Sequence, residues 1–526
     1  MLITITPIVY GWLVTPPGKV FTGVHFAAPN DWYVYYSFIQ QAKDGNLLLD
    51  NLFTAQKQAA TIRPFWTAVG FLANGFNLSV LAAFQLARLL LIPVLVLISY
   101  LLIATIFLDL KLRQAAFLIF YFSSGLGLLL ISRVIAYPRN FAHGQFNWPM
   151  DLWVPEAFTY PTVHYSPHFI ASLILILLIF WLTLLFTKDQ RYSYAIWSGI
   201  AGLVLFSFHP FHVLTLFLVI GFYFLVLIIK ARRWQWPLVW YYFIFGFLAA
   251  PAILYYFFLI ATDAVTAQKT LQNLTYTTPV WITIFSYGLL LPLALTGCYQ
   301  IIKEKKYQHE NLFLLTWLTV QFLLIYSPVT WQRRMTEGLH FPLAILSTMG
   351  IYYIYTWSKA ARVKIAAVVY RERYGLLVLV GMILISSNVF HLAVDWYMYS
   401  DQRQLSYIDE AVVDGAIWLK RFEDKVIFNS AGDIINVLPA YSHNRVYVGH
   451  GVETPYFGVK QGEVNWFFQK NRDSAIEHDF LRQRAVDLVF YGPDEQLIGD
   501  YDPNIKNYLE LLYRNEKVAI YQVLDR

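Results

Sequence analysis

Asp31 heads Ala28-Pro-Asn-Asp-Trp-Tyr-Val-Tyr-Tyr-Ser-Phe-Ile-Gln-Gln-Ala-Lys-Asp-Gly45, a stretch that reads as a cap, a helix and a terminating glycine. A carboxylate at that position has two uses. It caps the helix, a contribution of ~1 kcal/mol, or, held within hydrogen-bond reach of a hydroxyl, it takes that hydroxyl's proton as a general base. Asp31, Tyr35 and Ile39 recur every four residues and share a helical face, with Trp32, Tyr36 and Phe38 beside it. So aromatic a helix is expected to lie in a membrane interface.

Four further stretches carry residue types suited to chemistry. Arg88, in Phe84-Gln-Leu-Ala-Arg-Leu-Leu, interrupts an apolar run. A cation there costs at least ~2.5 kcal/mol on insertion, so it calls for a partner or an anionic ligand, or it snorkels to the headgroups. The stretch from Asn147 to His168 concentrates Asp151, Glu156, His164 and His168 among aromatics and prolines. His164 and His168 have the i,i+4 spacing of a metal pair, but Ser166 fits an N-cap and Pro167 the first helical position, so a helix begins between them. A metal site here and an aromatic lid over a sugar or lipid both stay open; Asp31, Glu156 and His168 are the candidate metal ligands. In Ser207-Phe-His-Pro-Phe-His212, His209 and His212 suit proton transfer, phosphate binding or metal ligation, or simply serve a tight turn. Trp331-Gln-Arg-Arg-Met-Thr-Glu-Gly-Leu-His-Phe-Pro342 places Arg333 and Arg334 together, a bidentate clamp for phosphate, with His340 close by. An ion pair of Glu337 with either arginine is the ordinary alternative.

The elements that must position these residues are membrane spans. With 526 residues, 58% of them hydrophobic, 18% aromatic and 14% charged, the chain is a polytopic helical membrane protein. Apolar windows mark about eleven transmembrane helices, near 2–14, 78–107, 115–131, 168–186, 194–208, 211–229, 237–260, 279–302, 312–326, 339–357 and 374–392. The first is short against the ~20 residues that a ~30 Å core requires, which leaves open whether the start is complete; it shows no basic n-region or cleavage site of a removable signal peptide. Segment 55–76, with Pro64 and two glycines, reads as interfacial or re-entrant.

Basic residues fall in alternate loops: Lys111 and Arg113; Lys188 and Arg191; Lys230, Arg232 and Arg233; Lys303, Lys305 and Lys306; Lys359, Arg362, Lys364, Arg371 and Arg373. Under the positive-inside rule these loops and the N-terminus are cytoplasmic, and the candidate residues above, with outer loops 15–77 and 132–167, lie outside, at a bacterial plasma (inner) membrane. The net charge of +6 is thus an orientation signal and not a nucleic-acid footprint. The lone Cys298 excludes an internal disulfide framework. The spans make a domain of residues 1–398. Residues 399–526 turn polar and form a small extracytoplasmic α/β domain, with strands expected at 425–428, 445–448, 486–491 and 518–523 and helices at 454–470, 473–484 and 504–514. Within it, Asp433 and His450 read as loop and turn residues.

The short first span, Pro16-Pro-Gly, the pattern Asp31-x-x-x-Tyr35-x-x-x-Ile39-x-Gln41-Ala-x-x-Gly45, the Arg88 span, Arg333-Arg-Met-Thr-Glu-Gly and the outer C-terminal domain together resemble the GT-C superfamily of membrane glycosyltransferases. They come nearest to the polyprenyl-phosphate-sugar-dependent mannosyltransferase and aminoarabinose-transferase families. The resemblance implies transfer of a sugar from a polyprenyl-phosphate donor to a glycan, lipid or protein acceptor, with membrane lipids around the site. It implies Asp31 as general base or as a metal- or acceptor-positioning carboxylate. Arg88, Arg333, Arg334 and His340 would bind the donor phosphate. Tyr35, Asp151, Glu156, His164, His168, His209, His212 and Glu337 would support the site or the acceptor. Many members carry an acidic pair where this chain has Asn30-Asp31, and the second loop offers Asp151-x-x-x-x-Glu156 in place of a compact Asp-x-Asp. A divalent ion, Mg2+ or Mn2+, therefore stays open. The rival readings are a transporter or flippase for a lipid-linked or anionic substrate, which predicts broken helices at the bilayer midplane, and a non-catalytic envelope assembly protein.

Overall fold

A computed structural model describes residues 1–27, 29–132, 147–360, 363–403, 405–432 and 436–525. Ala28, Arg362, Asp433 and residues 133–146 of the second expected outer loop lie outside the described residues. The chain packs as two compact units. One comprises Met1–Thr4, Leu86–Phe257 and Leu274–Val394, the other Ile5–Gln85, Phe258–Asn273 and Asp395–Arg526.

Hydropathy placed the helices correctly along the chain. Among the described residues, Val80–Ile106, Leu110–Leu130, Pro167–Asp189, His212–Ala231 and Trp236–Thr262 are long and apolar enough to cross a membrane. Two more candidates are bent pairs: Val280–Tyr287 with Leu290–Lys303, at 81°, and Arg373–Leu384 with Ser386–Ser400, at 43°. By length and composition the spans number five, or up to seven with the bent pairs, against the eleven or so expected. The other expected spans are helical as well: Leu2–Leu13, Tyr192–Phe206, His309–Leu324 and His340–Ala360.

The first unit is held by apolar packing around an aromatic centre. Phe180, Trp317 and Phe341 are fully buried, and the Trp317 ring stacks on Phe341 with centroids 5.3 Å apart. One close helix crossing rests on two glycines. A Cβ on Gly297 would stand 2.1 Å from the Leu346 carbonyl oxygen, and one on Gly350 would stand 2.0 Å from that of Leu293. Small residues are what allow backbones to approach this closely in a membrane.

The second unit contains the strands: β1 (Lys19–Phe21), β2 (Leu48–Leu49), β3 (Thr61–Ile62), β4 (Tyr407–Asp409), β5 (Val426–Phe428), β6 (Arg445–Val446), β7 (Leu488–Tyr491), β8 (Leu509–Arg514) and β9 (Ala519–Val523). A five-stranded sheet runs in the order β6-β5-β7-β9-β8, with β6, β5 and β7 parallel and β9 and β8 antiparallel. Antiparallel pairing of β1 with β4 packs the first expected outer loop into the same unit as this α/β sheet.

Two local expectations need correction. Residues 504–514 are expected to be helical, but Leu509–Arg514 is a strand paired with β9. The cause is a turn in which Asn515 Oδ1 accepts from the amides of Lys517 and Val518 and sends the chain back antiparallel. The helix Asp31–Lys43 has Asn30 as its N-cap, so Asp31 is its first helical residue and not the cap; Gly45, at φ +101°, follows its end as expected. This helix is also largely buried, with Trp32 against Phe84 and with Ala42 against Gly70 of the helix Pro64–Gly75. Its aromatic face is an internal packing surface of the unit.

Candidate functional site

In the first unit the sequence brings two turns together. Gly338 takes φ +89° and lets the stretch from Arg333 to Gly338 reverse just before the helix His340–Ala360 begins. Gln321 Nε2 pins that reversal by donating to the carbonyls of Met335 and Glu337, both at 2.7 Å, while Gln321 Oε1 accepts from Trp317 Nε1. The second turn, Ser207 to Phe211, ends where the helix His212–Ala231 starts.

Glu337 thereby meets two imidazoles. Its Oε2 is 2.8 Å from His212 Nε2 and 3.5 Å from His209 Nδ1, and the carboxylate is 2% exposed. Burial alone would push the Glu337 pKa up; the adjoining His212 and His209 outweigh it and hold the carboxyl at about 2. Burial pushes the His209 pKa down, against the pull of Glu337. The arrangement is an ionised carboxylate that accepts a hydrogen bond from His212 Nε2–H, with the His209 ring beside it. The His168 ring centroid lies 5.1 Å from that of His209, and His168 Nδ1 is 2.6 Å from Ser166 Oγ.

The carboxylate that Arg334 meets is Glu156. Arg334 Nη1 donates to Glu156 Oε1 at 3.2 Å, and the Arg333 guanidinium lies over the Trp153 ring at 4.5 Å. Arg334, Glu156, Glu337 and the buried histidines thus gather within this unit, with Arg333 next to Arg334 on the same turn. Such a set can bind an oxyanion and spread the charge that develops on it.

Single ligand atoms of His209, His212 and Glu337 all lie within 4.8 Å of one another, a spacing that could hold a metal ion. Two imidazoles and one carboxylate form the donor set of open transition-metal sites, whereas Mg2+ prefers oxygen ligands. None of the three candidate metal ligands read from the sequence, Asp31, Glu156 or His168, belongs to this trio.

Other sequence candidates in the first unit are engaged in structural bonds. Arg88 is fully buried and donates to the carbonyls of Thr4, Val163 and His164 at 3.1–3.2 Å. The His164 ring stacks on Tyr160. His340 Nδ1 accepts from the Thr159 amide at 3.2 Å, so its neutral ring carries the proton on Nε2 and donates to Ser123 Oγ at 2.9 Å. Asp151 Oδ2 accepts from Gly127 N at 2.9 Å and Ser387 Oγ at 2.6 Å, and burial pushes its pKa up to about 7. The helix break expected between His164 and His168 is present, with Ser166 as N-cap and Pro167 in the first turn.

In the second unit Asp31 has a partner that the sequence did not reveal. His450 Nδ1 accepts from the amides of Val452 and Glu453, both at 3.2 Å. The proton of the neutral ring is therefore on Nε2, which donates to Asp31 Oδ1 at 3.0 Å. His450 is nearly buried, whereas the Asp31 carboxylate keeps 33% of its surface. The short helix Ala264–Gln272 fixes the loop that carries His450. Lys269 pairs with Glu453, and Gln272 Nε2 donates to the carbonyls of Val452 at 3.0 Å and Thr454 at 2.7 Å. Tyr35 stacks on Trp66 with centroids 4.6 Å apart. His25 and Asp395, neither singled out in the sequence, form a fully buried pair at 2.5 Å in the same unit. The signal that could have found His450 is local: Gly449 and Gly451 flank it, a loop shaped for close backbone approach.

No family model matches the chain, and no curated protein does. Solved structures share its fold. The Archaeoglobus fulgidus oligosaccharyltransferase in the apo form aligns with a TM-score of 0.54 at 11% identity, over 100% of this chain and 73% of its own. Apo ArnT from Cupriavidus metallidurans aligns with a TM-score of 0.53 at 10% identity, over 99% of this chain and 97% of its own. ArnT bound to undecaprenyl phosphate gives a TM-score of 0.50 at 9% identity, with the same two coverages. The chain is a polytopic helical membrane protein with the GT-C fold that the sequence resemblance implied.

Proposed function

We propose that this protein is a glycosyltransferase that moves a sugar from a polyprenyl-phosphate donor to an acceptor on the outer face of a bacterial inner membrane. The observation that carries the reading is the near full-length likeness of fold to ArnT, which has been solved with undecaprenyl phosphate bound. In the second unit Asp31 acts as general base, oriented by the His450 Nε2–H bond. The acceptor oxygen attacks the anomeric carbon, its proton passes to the Asp31 carboxylate, and the bond from that carbon to the phosphate oxygen breaks. The carrier phosphate leaves with the electron pair, and the sugar centre is inverted. In the first unit Arg333 and Arg334 bind the carrier phosphate, and His209 adds hydrogen-bonding capacity. Arg88, His340 and Asp151 hold the backbone that presents these groups. Where a metal serves, His209, His212 and Glu337 are its ligands, and Mn2+ or Zn2+ fits them better than Mg2+.

The test is sugar release by the full chain in lipid nanodiscs, offered a panel of polyprenyl-phosphate sugars, for wild type and Asp31→Asn, before and after chelation. Release by wild type that falls at least ~100-fold in the isosteric variant is expected. Equal release by both removes Asp31 from the chemistry. Loss on chelation with rescue by Mn2+ assigns the histidine–glutamate trio to a metal, and indifference to chelation assigns it to the phosphate.

A further inference from the structure

The second unit holds a large cleft, of about 1300 Å³, against the roughly 300–1,000 Å³ of an ordinary small-molecule pocket. It opens at the carboxyl ends of the parallel strands. Asn429 and Ser430 follow β5, Gly449 and His450 follow β6, and Asp494 and Glu495 follow β7. In open α/β sheets this edge is where ligands bind, because the loops that leave the strands diverge there. The helix Phe457–Phe468 forms another wall, contributing Gln461, Asn465 and Trp466.

The lining is rich in amides, and its charged residues are Lys19, Asp409, Asp494 and Glu495. Asn429 is 1% exposed, its Nδ2 donates to the Ser430 carbonyl, and its Oδ1 has no hydrogen-bond partner among the described residues. Gln461 Oε1 is buried and likewise without one, while Gln461 Nε2 donates to Asn465 Oδ1 at 3.1 Å. A buried amide oxygen left unpaired is costly, so these two acceptors call for a donor from a ligand.

The charged groups do not describe an anion site. Among the described residues, Lys19 is the only lysine on the cleft and no arginine lines it; Lys19 is paired with Asp409 at 2.8 Å. Glu495 is committed to the fold, taking the amides of Ser430 at 2.6 Å and Gly492 at 2.8 Å and so joining the loops after β5 and β7. Side-chain amides donate and accept, as sugar hydroxyls do, and match them in number and kind. Trp466, 36% exposed, supplies an aromatic surface; Arg472 lies over its ring at 4.2 Å.

Both Asn30 and His450 line the cleft, and His450 is the residue that donates to Asp31. We propose that this cleft binds a neutral oligosaccharide acceptor and presents one of its hydroxyls to Asp31. The inference rests on the transferase reading for Asp31 but names the acceptor class from the cleft alone.

The test uses the full chain in nanodiscs and an array of immobilised neutral, acidic and phosphorylated oligosaccharides. Wild type is expected to retain a subset of the neutral glycans, and Asn429→Leu and Gln461→Leu to retain them at least tenfold more weakly. Amide hydrogen exchange on wild type with a retained glycan provides a readout that needs no variant: exchange slows in the loops at 429–432 and 449–454 and in the helix 457–468. Retention of no neutral glycan, equal retention by both leucine variants, or slowed exchange elsewhere overturns the proposal. Glycan binding in the cleft without sugar release from any donor would sink the transferase reading and leave the cleft standing. Release to a peptide or lipid acceptor with an empty glycan array would do the reverse.

Discussion

Glu337→Gln tests whether the carboxylate between two histidines stabilises the fold as an anion. The side chain is 2% exposed, and its carboxyl is held at about 2 instead of the ordinary 4.5, a difference of about 2.5 pH units. At roughly 1.4 kcal/mol per unit, ionised Glu337 contributes about 3 kcal/mol at neutral pH. Because the folded-state value is depressed, that contribution is complete above pH ~4.5 and disappears as pH falls toward 2. Glutamine keeps the shape and removes the charge, so the variant is expected to be about 3 kcal/mol less stable at pH 7 and nearly equal to wild type at pH 2. Reversible SDS unfolding in mixed micelles, followed by tryptophan fluorescence, reads both. A cycle with His212→Gln should return a coupling of about 1.5–3 kcal/mol, the range for a hydrogen bond to a charged group. A glutamine variant as stable as wild type at pH 7, or a coupling below about 0.5 kcal/mol, refutes the account of Glu337 as a buried anion.

Asp151 should show the opposite pH dependence. Its folded-state value is raised to about 7, so its contribution is complete below pH ~3.8 and is lost as pH rises through 7; Asp151→Asn should fold and flatten that dependence in the same unfolding assay. Gly350→Ala places a Cβ where a main-chain oxygen stands 2.0 Å away, and a loss of about 1–3 kcal/mol with unchanged secondary structure by circular dichroism is expected. His450→Ala should lower kcat of sugar transfer by about 10- to 100-fold and leave the donor KM unchanged, because His450 orients Asp31; a donor KM that rises with kcat unchanged would count against that role.

The membrane helices were legible because apolar length is a local property, and so was the break at Ser166-Pro167, which one proline dictates. Partnerships were not. Arg333, Arg334 and Glu337 are near neighbours in sequence, and an ion pair among them is the natural local reading. The fold instead gives Arg334 to Glu156 and Glu337 to His212, 178 and 125 positions away. His450 stands 419 positions from Asp31, and contacts such as the β1–β4 pairing and the hydrogen bond from Thr454 Oγ1 to the Phe53 carbonyl bring their segments into one unit. Burial shows the same limit from the other side. Arg88 in an apolar run has the same signature in sequence whether it awaits a phosphate or holds three carbonyls, and the two differ only in where those carbonyls fall. Asn429 is the converse case. A buried asparagine after a strand looks like an ordinary loop residue until its oxygen is found unpaired beside a cleft large enough for an oligosaccharide. What separates a polar residue that builds this fold from one that serves a ligand is therefore how fully the fold satisfies its hydrogen bonds, a quantity set by contacts hundreds of residues apart.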